Sequence, residues 1–168
     1  DKVVIAQQIV SGTNSFVLLA IPFFVLAGEL MNAGGVTKRL VRFAEALTGG
    51  VQGGLAYVVV LVNMIMAGVS GAAIADAAAV GSVMIPSMER AGYSKPFASA
   101  VNAAAATIGP VIPPSVGFLI YASIANVPVD RLFIAGAVPG VIMGVYMLVV
   151  CYVVARRRKL PKGERTSA

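Results

Sequence analysis

Apolar residues in this chain come in blocks about as long as a bilayer is thick, and most charges fall between the blocks. Residues 53–88, for example, carry one formally charged side chain, Asp76, in a run of Val, Ala, Met, Ile and Gly. A soluble domain of this size buries roughly two-thirds of its surface and needs about a quarter of its residues charged to coat the remainder. Here 12% of 168 residues are charged and 58% are hydrophobic, with a mean hydropathy of +0.89, so lipid must cover what polar residues do not. Backbone polar groups inside lipid need internal partners, which for such blocks means helices. The sequence therefore predicts an all-α membrane protein.

What is missing narrows the function. There is no His, no Trp and a single Cys, Cys151, set in an apolar stretch. Imidazole metal sites, Ser-His-Asp or Cys-His nucleophile systems and internal disulfides are excluded, and an enzyme is not expected. The phosphate-binding pattern GxxxxGK[ST] is absent, so ATP is not expected to drive the protein and no cofactor is called for. A net charge of +6 raises nucleic acid as a partner, but the basic residues cluster between the apolar blocks and after the last one, which is how topology signals are distributed. The expected surroundings are a lipid bilayer, with no nucleic acid. The chain opens on Asp1 without a charged and then apolar leader, so it reads as a segment of something longer with no signal peptide marked.

Residues 1–35 are expected to hold the first transmembrane helix, with an apolar block from about Thr13 to Asn32, a kink at Pro22, Glu29 as its only ionisable group, and a stop at Gly34-Gly35. Glu29 is expected to pair with Lys38 or Arg39 at the interface. Over 36–52 the pattern changes: Val36, Leu40, Phe43, Ala44 and Leu47 recur at helical spacing opposite Lys38, Arg39, Arg42 and Glu45. This predicts an amphipathic arm lying along the membrane surface, a plain connecting helix being the alternative. Residues 53–88 are broken in the middle by Gly68-Val69-Ser70-Gly71-Ala72-Ala73 without a polar loop. Each half gives about 27 Å of helix, barely a crossing. A re-entrant helical hairpin fits the small tip residues better than two full spans, which would put a more polar turn in the headgroup layer.

Residues 89–121 are expected to form a broken transmembrane helix behind a short polar loop from Met88 to Lys95. Its apolar run is interrupted by Gly109-Pro110-Val111-Ile112-Pro113-Pro114-Ser115. Prolines 110, 113 and 114 remove three amide donors, so an unbroken helix cannot pass. Residues 122–168 supply the last transmembrane helix and a basic cytoplasmic tail. Gly136, Gly140 and Gly144 lie on one face of that helix, suited to close packing within the chain, or less favourably to dimerisation. If Arg156-Arg157-Arg158-Lys159 is cytoplasmic, residues 122–131 lie outside, and Arg90, Lys95, Lys38, Arg39 and Arg42 fall inside with the tail.

Asp76 is an acid inside a membrane segment, by default a candidate for ion or substrate handling, with a position near the cytoplasmic side or an amide cap as the alternative. Ser70, Gly71, Asn63, Asn102, Thr107 and Ser115 offer neutral oxygens near the two interruptions. Hard cations are held by carbonyl and hydroxyl oxygens, and interrupted helices supply carbonyls at one end and amide donors at the other. Taken singly, each such side chain is better explained by a bond to a nearby carbonyl. No Arg lies in either broken element to clamp a carboxylate.

The stretch GVSGAAIADAAAVGSVMIPSMERAGYSKPFASAV, followed by IGPVIPPS and LFIAGAVPG, resembles the large (DctM-like) membrane subunit of tripartite ATP-independent periplasmic (TRAP) transporters, as does LLAIPFFVLAGELMNAGG upstream. The likeness covers about residues 7–158, roughly the first half of such a subunit. The resemblance implies a Na+-coupled secondary transporter of organic acids (C4-dicarboxylate, sialic acid or a similar carboxylate) in the bacterial inner membrane. It also implies one repeat of an inverted-repeat elevator-type carrier that works with a small membrane subunit and a periplasmic substrate-binding protein. By position it places substrate and ion contacts at Ser70, Gly71 and Ala72 on the tip and at Gly109, Pro110, Pro113, Pro114 and Ser115 in the break. Asp76, Asn102 and Thr107 join them, and Ser70, Gly71, Gly109 and Ser115 are the candidates for Na+. The family commonly has Ser-Gly-Ser at the tip where this chain has Ser70-Gly71-Ala72, and hydroxyls before the break where it has Ala103 to Ala106. The alternative function is that of a non-transporting structural subunit of a membrane complex.

Overall fold

A computed structural model describes residues 2–13, 16–48 and 50–162. The described residues form eight helices: α1 (Lys2–Thr13), α2 (Phe16–Ala33), α3 (Val36–Thr48), α4 (Gly54–Ser70), α5 (Ala73–Arg90), α6 (Lys95–Ala106), α7 (Val116–Ala125) and α8 (Val129–Arg157). No strand forms among them; one isolated bridge joins Gln52 to Lys162. The described residues are all-α, as the composition requires.

α4 is the centre. Val58, Val59, Val60, Val62 and Met66 are fully buried, because α2, α3, α5, α6 and α8 all pack against it. A helix apolar all round has no solvent face to offer and takes the middle of a bundle. α8 is the reverse case. It is long and apolar enough to cross a membrane, yet only 17% of its most apolar stretch is buried, whereas the core helix of a soluble protein is mostly covered. Asp130 in its first turn and Arg156 and Arg157 in its last complement the helix dipole.

Several boundaries differ from expectation. Residues 1–35 hold two helical segments, α1 and α2; Gln7 and Gln8 dilute the apolar run of α1, which hid it as an element. α2 and α3 meet at a 66° bend, where Gly35 has φ +76. The arm turns Thr37, Val41 and Ala44 inward, while Phe43 and Leu47 of the expected stripe stay 57% and 65% exposed. Its apolar band is wider than the face α4 can cover. α5 runs on to Arg90, which shortens the polar loop to residues 91–94, and Tyr93 in that loop is buried with its hydroxyl donating to the Pro161 carbonyl at 3.1 Å. α6 ends at Ala106, earlier than Gly109, because the Pro110 ring would meet the Ala106 carbonyl in a continuing helix. Instead the N–H groups of Thr107, Ile108 and Gly109 each reach back three residues, tightening the last turn.

Candidate functional site at the meeting of two chain breaks

The tip joining α4 to α5 is built on Gly71, whose φ of +59 caps α4 while its N–H donates to the Ala67 carbonyl at 3.2 Å. Ser70 is buried, with Gly28 of α2 against its Cα and Cβ. The break between α6 and α7 ends at Ser115, fully buried, which accepts the Phe118 N–H at 3.2 Å as the cap of α7 and donates to the Pro110 carbonyl at 2.6 Å. Ser115 thus closes the proline loop on itself, and both roles follow from a hydroxyl placed just before a helix start.

Tip and break touch. A methyl group on Gly71 would collide with the Pro114 carbonyl and lie 3.1 Å from Ser115 Cα; one on Gly109 would lie 2.8 Å from Asp76 Oδ2 and 3.4 Å from the Ala73 nitrogen. The Pro113 carbonyl stands over Gly68. The carbonyl-bearing ends of α4 and α6 and the amide-bearing ends of α5 and α7 therefore come to one place, two partially negative and two partially positive poles.

Asp76 sits in the first turn of α5 and is fully buried. Its Oδ1 accepts the Ser70 hydroxyl at 2.6 Å, and its Oδ2, beside Gly109, has no hydrogen-bond partner. It is neither at a surface nor an amide cap. A buried carboxylate with an unsatisfied oxygen is costly unless a proton or cation compensates it. Among the described residues no three His, Cys, Asp or Glu side chains gather to hold a metal, so a cation here would rest on Asp76, the Ser70 hydroxyl and backbone carbonyls. That donor set suits a hard monovalent ion better than a transition metal.

Of the residues singled out in the sequence, Ser70, Gly71, Ala72, Asp76, Gly109, Pro110, Pro113, Pro114 and Ser115 come together. Asn102 lies outside this contact: its amide donates to the Ala77 carbonyl at 2.8 Å, and its oxygen accepts from Asn63 at 3.3 Å, tying α4, α5 and α6. Thr107 is exposed and bonded to the Ala104 carbonyl at 2.7 Å, so the structure does not bring it to the tip. Glu29 and Lys38 line one surface concavity without an ion pair between them. Gly28 was not read from the sequence as a site residue, although a glycine inside an apolar helix is a signal of close approach that could have found it.

α8 forms the wall behind the break. Gly136 faces the Phe118 ring and the Val111 carbonyl, Gly140 lies against Ile112, and Gly144 against the Met64 thioether. The glycine face is therefore used within the chain.

Fold and site define a class: an all-α membrane protein in which two interrupted elements meet around a buried acid. Over residues 1–168 the chain matches the family described as "Tripartite ATP-independent periplasmic transporter, DctM component", and it belongs to that family, whose members are transporter permeases and not enzymes. It is 44% identical to the 2,3-diketo-L-gulonate TRAP transporter large permease protein YiaN of Escherichia coli (strain K12), over 99% of this chain and 39% of the relative. It is 42% identical to the sialic acid TRAP transporter large permease protein SiaM of Vibrio cholerae serotype O1, over 95% and 38%. It is 44% identical to the C4-dicarboxylate TRAP transporter large permease protein DctM of Pseudomonas aeruginosa, over 97% and 38%. The chain spans about two-fifths of the length of these curated relatives.

Proposed function

We propose that this chain is one half of the translocating core of a Na+-coupled organic-acid permease, with the cation held where the α4–α5 tip meets the α6–α7 break. The observation that carries the reading is the unpartnered Asp76 Oδ2 beside Gly109. A Na+ ion there would complete the carboxylate's coordination together with the Ser70 hydroxyl and carbonyls at the ends of α4 and α6. The amide ends of α5 and α7 offer a complementary place for a substrate carboxylate, which the absence of Arg from residues 53–88 and 96–121 otherwise leaves without a side-chain partner. The relatives named for diketogulonate, sialic acid and C4-dicarboxylate all point to anions of carboxylic acids.

Helix lengths support a re-entrant hairpin in a multi-pass inner-membrane protein. α6 and α7 together supply about 33 Å of helix, close to one hydrocarbon thickness, which supports a break near mid-depth. The tip that touches it then stops at mid-depth too. On this reading a second, inverted repeat, elevator-like movement, a small membrane subunit and a periplasmic substrate-binding protein complete the system.

Asp76→Asn in the complete permease, reconstituted with its partners in vesicles, tests the site. The amide keeps an acceptor for Ser70 and removes the charge. Na+-driven uptake of a carboxylate substrate is expected to fall about tenfold or more, with the thermal midpoint little changed. Unaltered Na+ dependence would sink the assignment.

A further inference from the structure

At the basic end of α8, away from the tip and break, a concavity of about 270 Å³ is lined by Val51, Gln52, Tyr57, Tyr152, Arg156 and Lys162. Two cations, two phenols and an amide converge, with no acidic side chain among the described residues that line it. This is an inventory of donors suited to an oxyanion with several acceptor oxygens. The donors are also held in place. The Arg156 guanidinium lies over the Tyr152 ring, 5.1 Å from its centroid. After α8 the chain turns through Lys159, at φ +49, with the Leu160 N–H reaching the Ala155 carbonyl at 3.1 Å. That reversal carries Lys162 back to its bridge with Gln52. The Pro161 carbonyl fixes the return by accepting both the Gly53 N–H at 3.0 Å and the Tyr93 hydroxyl at 3.1 Å.

A run of positive charges that only sets membrane orientation needs none of this. Arg157 and Lys159 belong to the same run and do not line the concavity, whereas Lys162, beyond the run, does. Beside the polar donors, the outer face of α8 is apolar and open: Tyr146, Val149 and Val153 are 68%, 53% and 41% exposed. An amphiphile satisfies both halves. We propose that this pocket binds the phosphate of an anionic membrane phospholipid, with the acyl chains along α8 and the headgroup joining the base of the hairpin to the end of that helix. The proposal rests on α8 crossing the membrane and is independent of what binds at Asp76.

The test uses the complete permease, delipidated in detergent, with the thermal unfolding midpoint read against added phosphatidylglycerol, phosphatidylcholine or inorganic phosphate. Phosphatidylglycerol is expected to raise the midpoint at concentrations where the other two do not. Arg156→Gln with Lys162→Gln should weaken that response about tenfold or more, while Arg157→Gln with Lys159→Gln, an equal change in charge, should leave it intact. Equal loss in both double variants, or equal protection by inorganic phosphate, would overturn the proposal. Tyr152→Phe, which keeps the ring beneath Arg156, gives a gentler arm should the first double variant not fold: a several-fold weaker lipid response supports the site, and an unchanged one counts against it. Na+-driven uptake by Asp76→Asn, measured separately, shows whether the tip assignment stands or falls by itself.

Discussion

Gly71 shows how little room the site leaves. Its backbone is in the left-handed region and any β-carbon would enter the Pro114 carbonyl, so two penalties coincide. Gly35 has φ +76 but nothing within 4 Å of where a β-carbon would go, so only the backbone penalty applies there. Gly71→Ala is expected to cost roughly 2 kcal/mol or more, and Gly35→Ala about 1 kcal/mol. Thermal unfolding of the two variants side by side checks this; equal losses would mean that tip and break are not in contact. At this scale the sequence identified the residue types well and their partners poorly. Asp76 was visible as an acid in an apolar helix, yet its pairing with Ser70 depends on the tip geometry, and the exposure of Thr107 depends on where α6 stops.

α8 accommodates its neighbours by omission, and the three glycines do not serve equal neighbours. A methyl on Gly140 would lie 2.5 Å from Ile112 Cγ1 and 3.3 Å from the Ile112 nitrogen, a backbone held by the proline loop. On Gly144 it would meet the far end of Met64, a side chain with several rotatable bonds. Gly140→Ala is therefore expected to destabilise by about 1–3 kcal/mol and Gly144→Ala by less, as read by the thermal midpoint of the purified permease; the opposite order would count against this packing. The interruptions themselves were legible because proline and glycine act locally. The face of the arm that turns inward was not, because Val36, Leu40, Phe43, Ala44 and Leu47 make a band wide enough to be buried in more than one way, and α4 decides which.

For the molecule as a whole, the distribution of charge and the path of the helices make one topological statement. The proposed topology puts Lys38, Arg39, Arg42, Arg90, Lys95 and the run from Arg156 to Lys159 on one side of the membrane, and Asp130 and Arg131 on the other. With Cys151 replaced by Ala, single cysteines at Ser94, Lys159 and Asp130, all exposed positions, can be probed with a membrane-impermeant thiol reagent. Ser94→Cys and Lys159→Cys should react from the same side and Asp130→Cys from the opposite one. Reaction of all three from a single side would mean that α6, the break and α7 do not make one crossing. The helical character of the chain followed from composition, although α1 as a separate helix did not. That two interruptions far apart in the chain are in contact did not, since no local pattern encodes a tertiary meeting.

The same contact has a consequence for how the protein is made. Ser70 and Gly71 leave the ribosome well before Pro114 and Ser115, so for a time the tip exists without the surface that completes it. Until the proline loop arrives, a newly made α4–α5 pair lacks the Gly109 turn that covers Asp76 Oδ2, and a carboxylate left open to acyl chains is costly.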